Sequence, residues 1–299
     1  MNSAFKITLC AVSFAVSTSL VSCQKDALPT PVGPEVTNTH AGSDVAVQSN
    51  LLAATKKYTL VKEGPYELSY NADGKIVKVK RSNFYTDYEH SVSPAYVKAT
   101  SYSTNSGVPV KYKVNVISLN PDYTANTGWV RFYDNTGAVS MEYYVDYDFV
   151  NQHLVKYRED GGSARSTEFT YDGDGELSMV TQKFNGTIEY QNLYSYTGYG
   201  PMQTDYHPQN PLHTTFDSNL DQGTELLFLP IFGKFHKHLV QSISRIQSSP
   251  YKVLFNYRYK YTLNADGRVT ERERWDQTIN QKLTTDSYQY IVELLVGRM

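Results

Sequence analysis

Three patterns in the chain have residue types that chemistry uses. His236 and His238 flank Lys237. On a strand, imidazoles two residues apart share a face, and with His207 or His213 they would make a metal site; on a helix they point apart and the site dissolves. Asp172, Asp174 and Glu176 alternate with glycines much as a calcium loop does, but Leu177 stands where an EF-hand needs Gly, and the segment suits a hairpin turn better. Gly161-Gly162-Ser163-Ala164-Arg165 ends in Arg and so makes no nucleophile elbow, and no Gly-Lys-Ser/Thr phosphate loop occurs. The motifs therefore name no catalytic, cofactor-binding or metal-ligating residue. A two-carboxylate glycoside hydrolase leaves no short motif, and 30 acidic residues keep that alternative open.

Aromatic residues are the other resource. With 26 Tyr in 299 residues, together with Trp129 and Trp275, the chain offers many rings to a sugar. Both tryptophans sit in strand-like segments, where cross-strand pairing accounts for them without a ligand. The tyrosines thin out over 199–249, an insertion whose Pro208 and Pro211 predict irregular backbone. Long loops of this kind are commonly functional. Tyr199, Tyr206, His207 and His213 are its candidate ligand-binding side chains.

The elements that must position these residues are strands. Hydrophobic residues at 40% and aromatics at 13% exclude a disordered chain. Beyond Tyr58, aromatic and β-branched residues alternate with polar ones, which is strand period. Tyr66 to Tyr70 run into Asn71-Ala72-Asp73-Gly74, and Lys75-Ile76 resume the alternation. The same Asn-Ala-Asp-Gly, basic, aliphatic sequence recurs at Asn264 to Val269, with weaker copies at Asp172 to Leu177 and Asp134 to Val139. Each copy predicts a hairpin, because the Gly supplies the positive φ of a tight turn. This aromatic-x-Tyr, turn, Gly-x-aliphatic unit resembles the YD repeat. The resemblance covers most of residues 58–292 and implies an architecture without a catalytic residue. Long YD-repeat proteins form toxin-enclosing shells; this chain has about four copies and no toxin segment, so encapsulation is not implied.

Within the insertion, Phe228, Phe232, Phe235 and Leu239 are spaced four, three and four apart, which predicts one short amphipathic helix from Pro230 to Val240. Its apolar stripe would plug one end or face of the sheet; lying on a membrane is the alternative, given Lys234 and Lys237. The fold class that follows is all-β. Antiparallel hairpin repeats form a twisted, partly closed barrel or two-layer sandwich, with that single helix in the insertion.

The N-terminus carries an address. Lys6 precedes an apolar run, Ile7 to Val21, too short to span a bilayer and laid out as a signal peptide. It ends in Leu20-Val21-Ser22-Cys23, which resembles the bacterial lipobox. That resemblance implies cleavage before Cys23 and lipidation of its thiol. Cys10 would leave with the signal, so the mature chain would hold no free thiol. Residues 23–55, interrupted by Pro29, Pro31 and Pro34, read as a flexible tether with a reach of order 30 Å.

The domains expected are thus a lipoprotein signal peptide at 1–22, a tether at 23–55, and one β-rich domain at 56–299. With lipobox and tether, the whole resembles YD-repeat-like lipoproteins of unknown function from Bacteroidota. That resemblance implies an outer-membrane location through the lipid anchor, with the periplasmic or cell-surface leaflet open. A net charge of -2 gives no electrostatic case for nucleic acid. The expected function is non-enzymatic, structural or ligand-binding, with a glycan or an envelope protein as partner. A glycan-binding module of a polysaccharide-uptake system is the alternative beside the hydrolase.

Overall fold

The computed structural model describes residues 55–160, 164–196, 226, 228–233, 235 and 238–295. The signal peptide, the tether and Cys23 lie outside them, as do Tyr199, Tyr206, His207, His213 and His236. Sixteen strands form one closed antiparallel barrel in which each strand pairs with its sequence neighbours. The first half contains β1 (Thr55–Glu63), β2 (Tyr66–Tyr70), β3 (Ile76–Arg81), β4 (Phe84–Val92), β5 (Ala95–Ser103), β6 (Val110–Leu119), β7 (Ala125–Tyr133) and β8 (Val139–Val150). The second contains β9 (His153–Asp160), β10 (Arg165–Tyr171), β11 (Leu177–Phe184), β12 (Thr187–Tyr196), β13 (Val240–Ser248), β14 (Tyr251–Leu263), β15 (Val269–Asp276) and β16 (Gln281–Leu295). Closure is made by β1 against β16, from Thr55 opposite Leu295 to Glu63 opposite Tyr288.

The four repeat copies fold into the same turn. In each, the first residue donates its backbone N–H to the carbonyl four residues on, and the Gly N–H returns to its carbonyl: Asn71 with Lys75 and Gly74, Asp134 with Ala138 and Gly137, Asp172 with Glu176 and Gly175, Asn264 with Arg268 and Gly267. The side chain of that first residue also accepts from the backbone two and four positions later, as Asp172 does from Asp174 at 3.0 Å and Glu176 at 2.9 Å. Asp172 is therefore consumed as a turn cap. Three of the turns lie at the barrel end that also carries the β12–β13 connection; the fourth, at Asp134, lies at the opposite end.

Alternation along the strands gives the wall two distinct faces. Inward positions include Leu68, Val79, Val97, Ile117, Val130, Val145, Phe169, Val180 and Ile243, all buried. Outward positions between them carry ion pairs: Lys98–Glu89 at 2.8 Å, Arg131–Glu142 at 2.8 Å, Lys183–Glu168 at 2.7 Å and Lys282–Glu273 at 3.0 Å. Trp129 and Trp275 also face outward. Arg131 lies over Trp129 at 4.7 Å and Lys260 over Trp275 at 4.5 Å, so both indoles pack on the wall under a cation.

Three expectations change. The barrel is closed, not partly closed or a sandwich. β13 occupies Val240–Ser248, within the stretch read as insertion. No helix occurs among the described residues. Those of 228–239 form turns, bends and an isolated bridge between Gly233 and His153. The reason is hydrogen bonding: the carbonyls of Ile231 and Phe235 serve strands β7 and β11 and not the next helical turn.

Candidate ligand-binding cleft

The described residues between Leu226 and Leu239 act as a strap across the barrel end where β12 stops and β13 starts. Ile231 O accepts from Ala125 N at the start of β7, and Phe235 O from Leu177 N at the start of β11, each at 2.8 Å. Between them Gly233 adopts φ 77°, and a Cβ there would stand 2.1 Å from Gln152 O, so only glycine lets the strap lie this close to the β8–β9 turn. Three strap aromatics drop inward: Phe228 meets Tyr66 at 5.4 Å, Phe232 meets Tyr147 at 5.5 Å, and Phe235 meets Phe169 at 6.0 Å. All three are buried within the main core cluster. Glu176 Oε1 then accepts from both the backbone N (3.0 Å) and Nδ1 (2.7 Å) of His238, fastening the far side of the strap.

A ladder of tyrosine hydroxyls stiffens the same end. Tyr70 donates to Leu60 O, Tyr171 to Leu154 O, Tyr196 to Leu177 O, Tyr261 to Val240 O and Tyr290 to Val269 O, at 2.6 to 2.9 Å. Each tyrosine sits near the end of an even-numbered strand and reaches the preceding strand. On β4 the equivalent position is His90, whose ring nitrogen Nε2 meets Ile76 O at 2.7 Å. A carbonyl only accepts, so Nε2 carries the proton of this bond. Burial pushes the hydroxyl pKa of Tyr70 and Tyr290 up to about 12, with Glu63 adding to the effect, and raises those of Tyr171 and Tyr196 further.

Where the strap crosses β2–β7 it leaves a cleft of about 250 Å³. Phe228, Leu229, Pro230 and Ile231 of the strap form one wall; Tyr70, Ile76, Val97 and Leu119 form the other. Lys75, His90, Ser91, Tyr96 and Tyr123 supply the polar groups. Tyr123 is 61% exposed at the rim. An apolar lining with a few polar groups is the usual constitution of a small-molecule site, and this one falls just below the usual size range. No carboxylate lines it, so it lacks the acid pair that glycoside hydrolysis requires.

Tyr199, Tyr206, His207 and His213 lie outside the described residues, and this cleft is a further candidate beside them. His238 is engaged by Glu176, and among the described residues no group of three His, Cys, Asp or Glu is placed to hold a metal ion. Sequence reasoning singled out the insertion but missed its strap wall, because Phe228, Phe232 and Phe235 mimic helical spacing. The partner of Glu176 was also missed, since nothing local distinguishes that residue within its turn. The tyrosine ladder does leave a trace in the sequence: Tyr196 and Tyr290 follow the post-turn aliphatics Leu177 and Val269 one strand downstream.

No family model matches the chain, and no curated protein matches it. Solved structures do, among them two porin-like proteins. A porin-like protein from Bacteroides uniformis is 16% identical, with 80% of this chain and 96% of that one covered and a TM-score of 0.56. A porin-like protein from Bacteroides vulgatus is 15% identical, with 78% and 98% covered and a TM-score of 0.55. At such identities the likeness is one of fold: this chain shares its antiparallel barrel with these porin-like proteins.

Proposed function

We propose that this chain is a non-enzymatic, lipid-anchored outer-membrane protein that stands in water on its tether and holds a small, mainly apolar ligand in the strap cleft. The observation that carries the reading is the polarity of the wall. A barrel embedded in lipid presents an outward apolar band roughly 25 Å tall and a polar interior. Here ion pairs such as Lys183–Glu168 lie on the outer wall, and at the strap end Leu154, Leu177, Val180 and Ile243, each at 0% exposure, fill the inside. The barrel shape alone therefore does not argue for insertion. The lipobox ending in Cys23 supports attachment by acyl chains instead, two or three of which anchor durably.

Fractionation tests the anchor. The native chain is expected with the membranes, with acyl mass on Cys23, and Cys23→Ala is expected in the soluble fraction; a membrane-bound, unmodified Cys23→Ala chain would overturn it. For the cleft, a fragment library screened by ligand-observed NMR should give apolar hits that are lost in Tyr123→Ala and Val97→Phe. Hits unaffected by both variants would refute this site. The hydrolase reading finds no support in this cleft.

A further inference from the structure

The strap cleft has a shape as well as a lining. Its barrel-side wall advances one strand at a time: Tyr70 on β2, Ile76 on β3, His90 on β4, Val97 on β5 and Leu119 on β6. Neighbouring strands lie about 4.8 Å apart, so this row spans roughly 19 Å. The strap runs the same way, with Phe228 against Tyr66 of β2 and Ile231 O bonded to Ala125 N of β7. Spread over that length, about 250 Å³ makes a slot and not a bowl.

The volume sets the size of what fits. An apolar cavity of about 150 Å³ holds one benzene, so about 250 Å³ holds on the order of ten carbon atoms. A compact ligand needs that space gathered in one place. An unbranched chain uses it laid along the row.

The polar groups favour one kind of head. Lys75 stands in the β2–β3 turn at one end of the row and Tyr123 in the β6–β7 turn at the other. Lys75 is the only lysine or arginine among the described lining residues, and neither Asp nor Glu is among them. Asp73, exposed in the same turn as Lys75, lies outside the lining, and Asp122 beside Tyr123 accepts from Thr124 N and Oγ1. An ammonium on a flexible stem at the mouth of an apolar slot suits an anion at the end of an apolar chain.

We propose that the strap cleft binds an unbranched fatty acid of about ten carbons, its tail laid under the strap and its carboxylate beside Lys75. This assignment rests on the reading of the cleft as a site for a mainly apolar ligand, and names the class of that ligand.

The test is titration calorimetry of the full chain carrying Cys23→Ala, so that no detergent competes. The probes are the even-numbered fatty acids from hexanoate to tetradecanoate below their micellar concentrations, with decanol, adamantane carboxylate and phosphatidylglycerol vesicles beside them. From hexanoate to decanoate each added methylene should tighten binding about fourfold, and the gain should stop beyond about ten carbons. Adamantane carboxylate, with the same head on a compact body, should bind far more weakly than decanoate. Lys75→Gln should weaken decanoate about threefold, the scale of an exposed ion pair, and leave decanol unchanged. Val97→Phe fills the slot and should abolish binding of both. Thermal melts show which variants fold, and Lys75→Gln, in an exposed turn, carries the test if Val97→Phe does not.

Affinity still rising at tetradecanoate, adamantane carboxylate binding as tightly as decanoate, an equal loss of decanol in Lys75→Gln, vesicles bound in place of decanoate, or no binding of any chain would overturn the assignment. Compact ligands that bind and are lost in Val97→Phe would leave the cleft standing while the fatty acid falls; failure of the fragment screen as well would take the cleft with it.

Discussion

Tyr171 on β10 donates its hydroxyl to the carbonyl of Leu154, 17 residues earlier, at 2.9 Å. Leu154 is fully buried, so this carbonyl has no access to bulk water once the strap is in place. Replacing Tyr171 by Phe strands the carbonyl and should destabilise the barrel by about 1–3 kcal/mol, read from the urea midpoint at unchanged m-value.

The ladder also predicts an alkaline limit. The phenols of Tyr70 and Tyr290 titrate at about 12 in the folded chain, above the value near 10 of an unfolded tyrosine. Protons are thus bound more tightly by the folded state, so the contribution is complete below about pH 10 and is lost as pH rises through about 12. Urea midpoints measured from about pH 9 to 12 should fall along with the rise of phenolate absorbance, and the fall should be shallower in Tyr70→Phe.

On the acid side the sign reverses. Hydrogen bonds from Lys183 and Lys156 hold the Glu168 carboxyl below its usual range. That contribution is present above the ordinary glutamate value and disappears as pH falls through the depressed one. Glu168→Gln should be less stable than the native chain at neutral pH, with the two curves converging in acid.

Gly233→Ala attacks the strap at one atom. The new Cβ collides with Gln152 O and the residue keeps φ 77°, which together should destabilise the strap by about 1–3 kcal/mol. Limited proteolysis should then cut between β12 and β13 sooner than in the native chain, with the barrel fragments remaining intact.

Phe232 is 1% exposed and packs against Tyr147. Phe232→Ala leaves a cavity at the centre of the strap contact and should cost about 3–5 kcal/mol, measured by chemical denaturation.

What could be read in the sequence was whatever is local. The Asn71 and Asn264 turns are specified by four consecutive residues, and the alternation around them dictates strands. Closure was not legible, because Leu60 opposite Tyr290 has no local signature, and a one-sided sheet with the same alternation would read identically. The strap failed for a related reason. Its aromatics recur at three and four residues because the segment bends through turns and Gly233, a path imposed by β7 and β11. The site suffered most: Tyr96, Val97 and Leu119 look like ordinary strand residues, and only the strap lying over them makes a cleft.

The pairing of β1 with β16 has a consequence for biogenesis. The first strand made is the one that must wait for the last, since β1 meets only β2 and β16. Until Gln281–Leu295 arrives, the nascent chain is an open ribbon with two unsatisfied edges, each a template for aggregation. Long sequence separation between partners slows such a step. A chain built this way needs its edges shielded until it closes, and any deletion reaching β16 should abolish the accumulation of the whole protein rather than trim one hairpin from it.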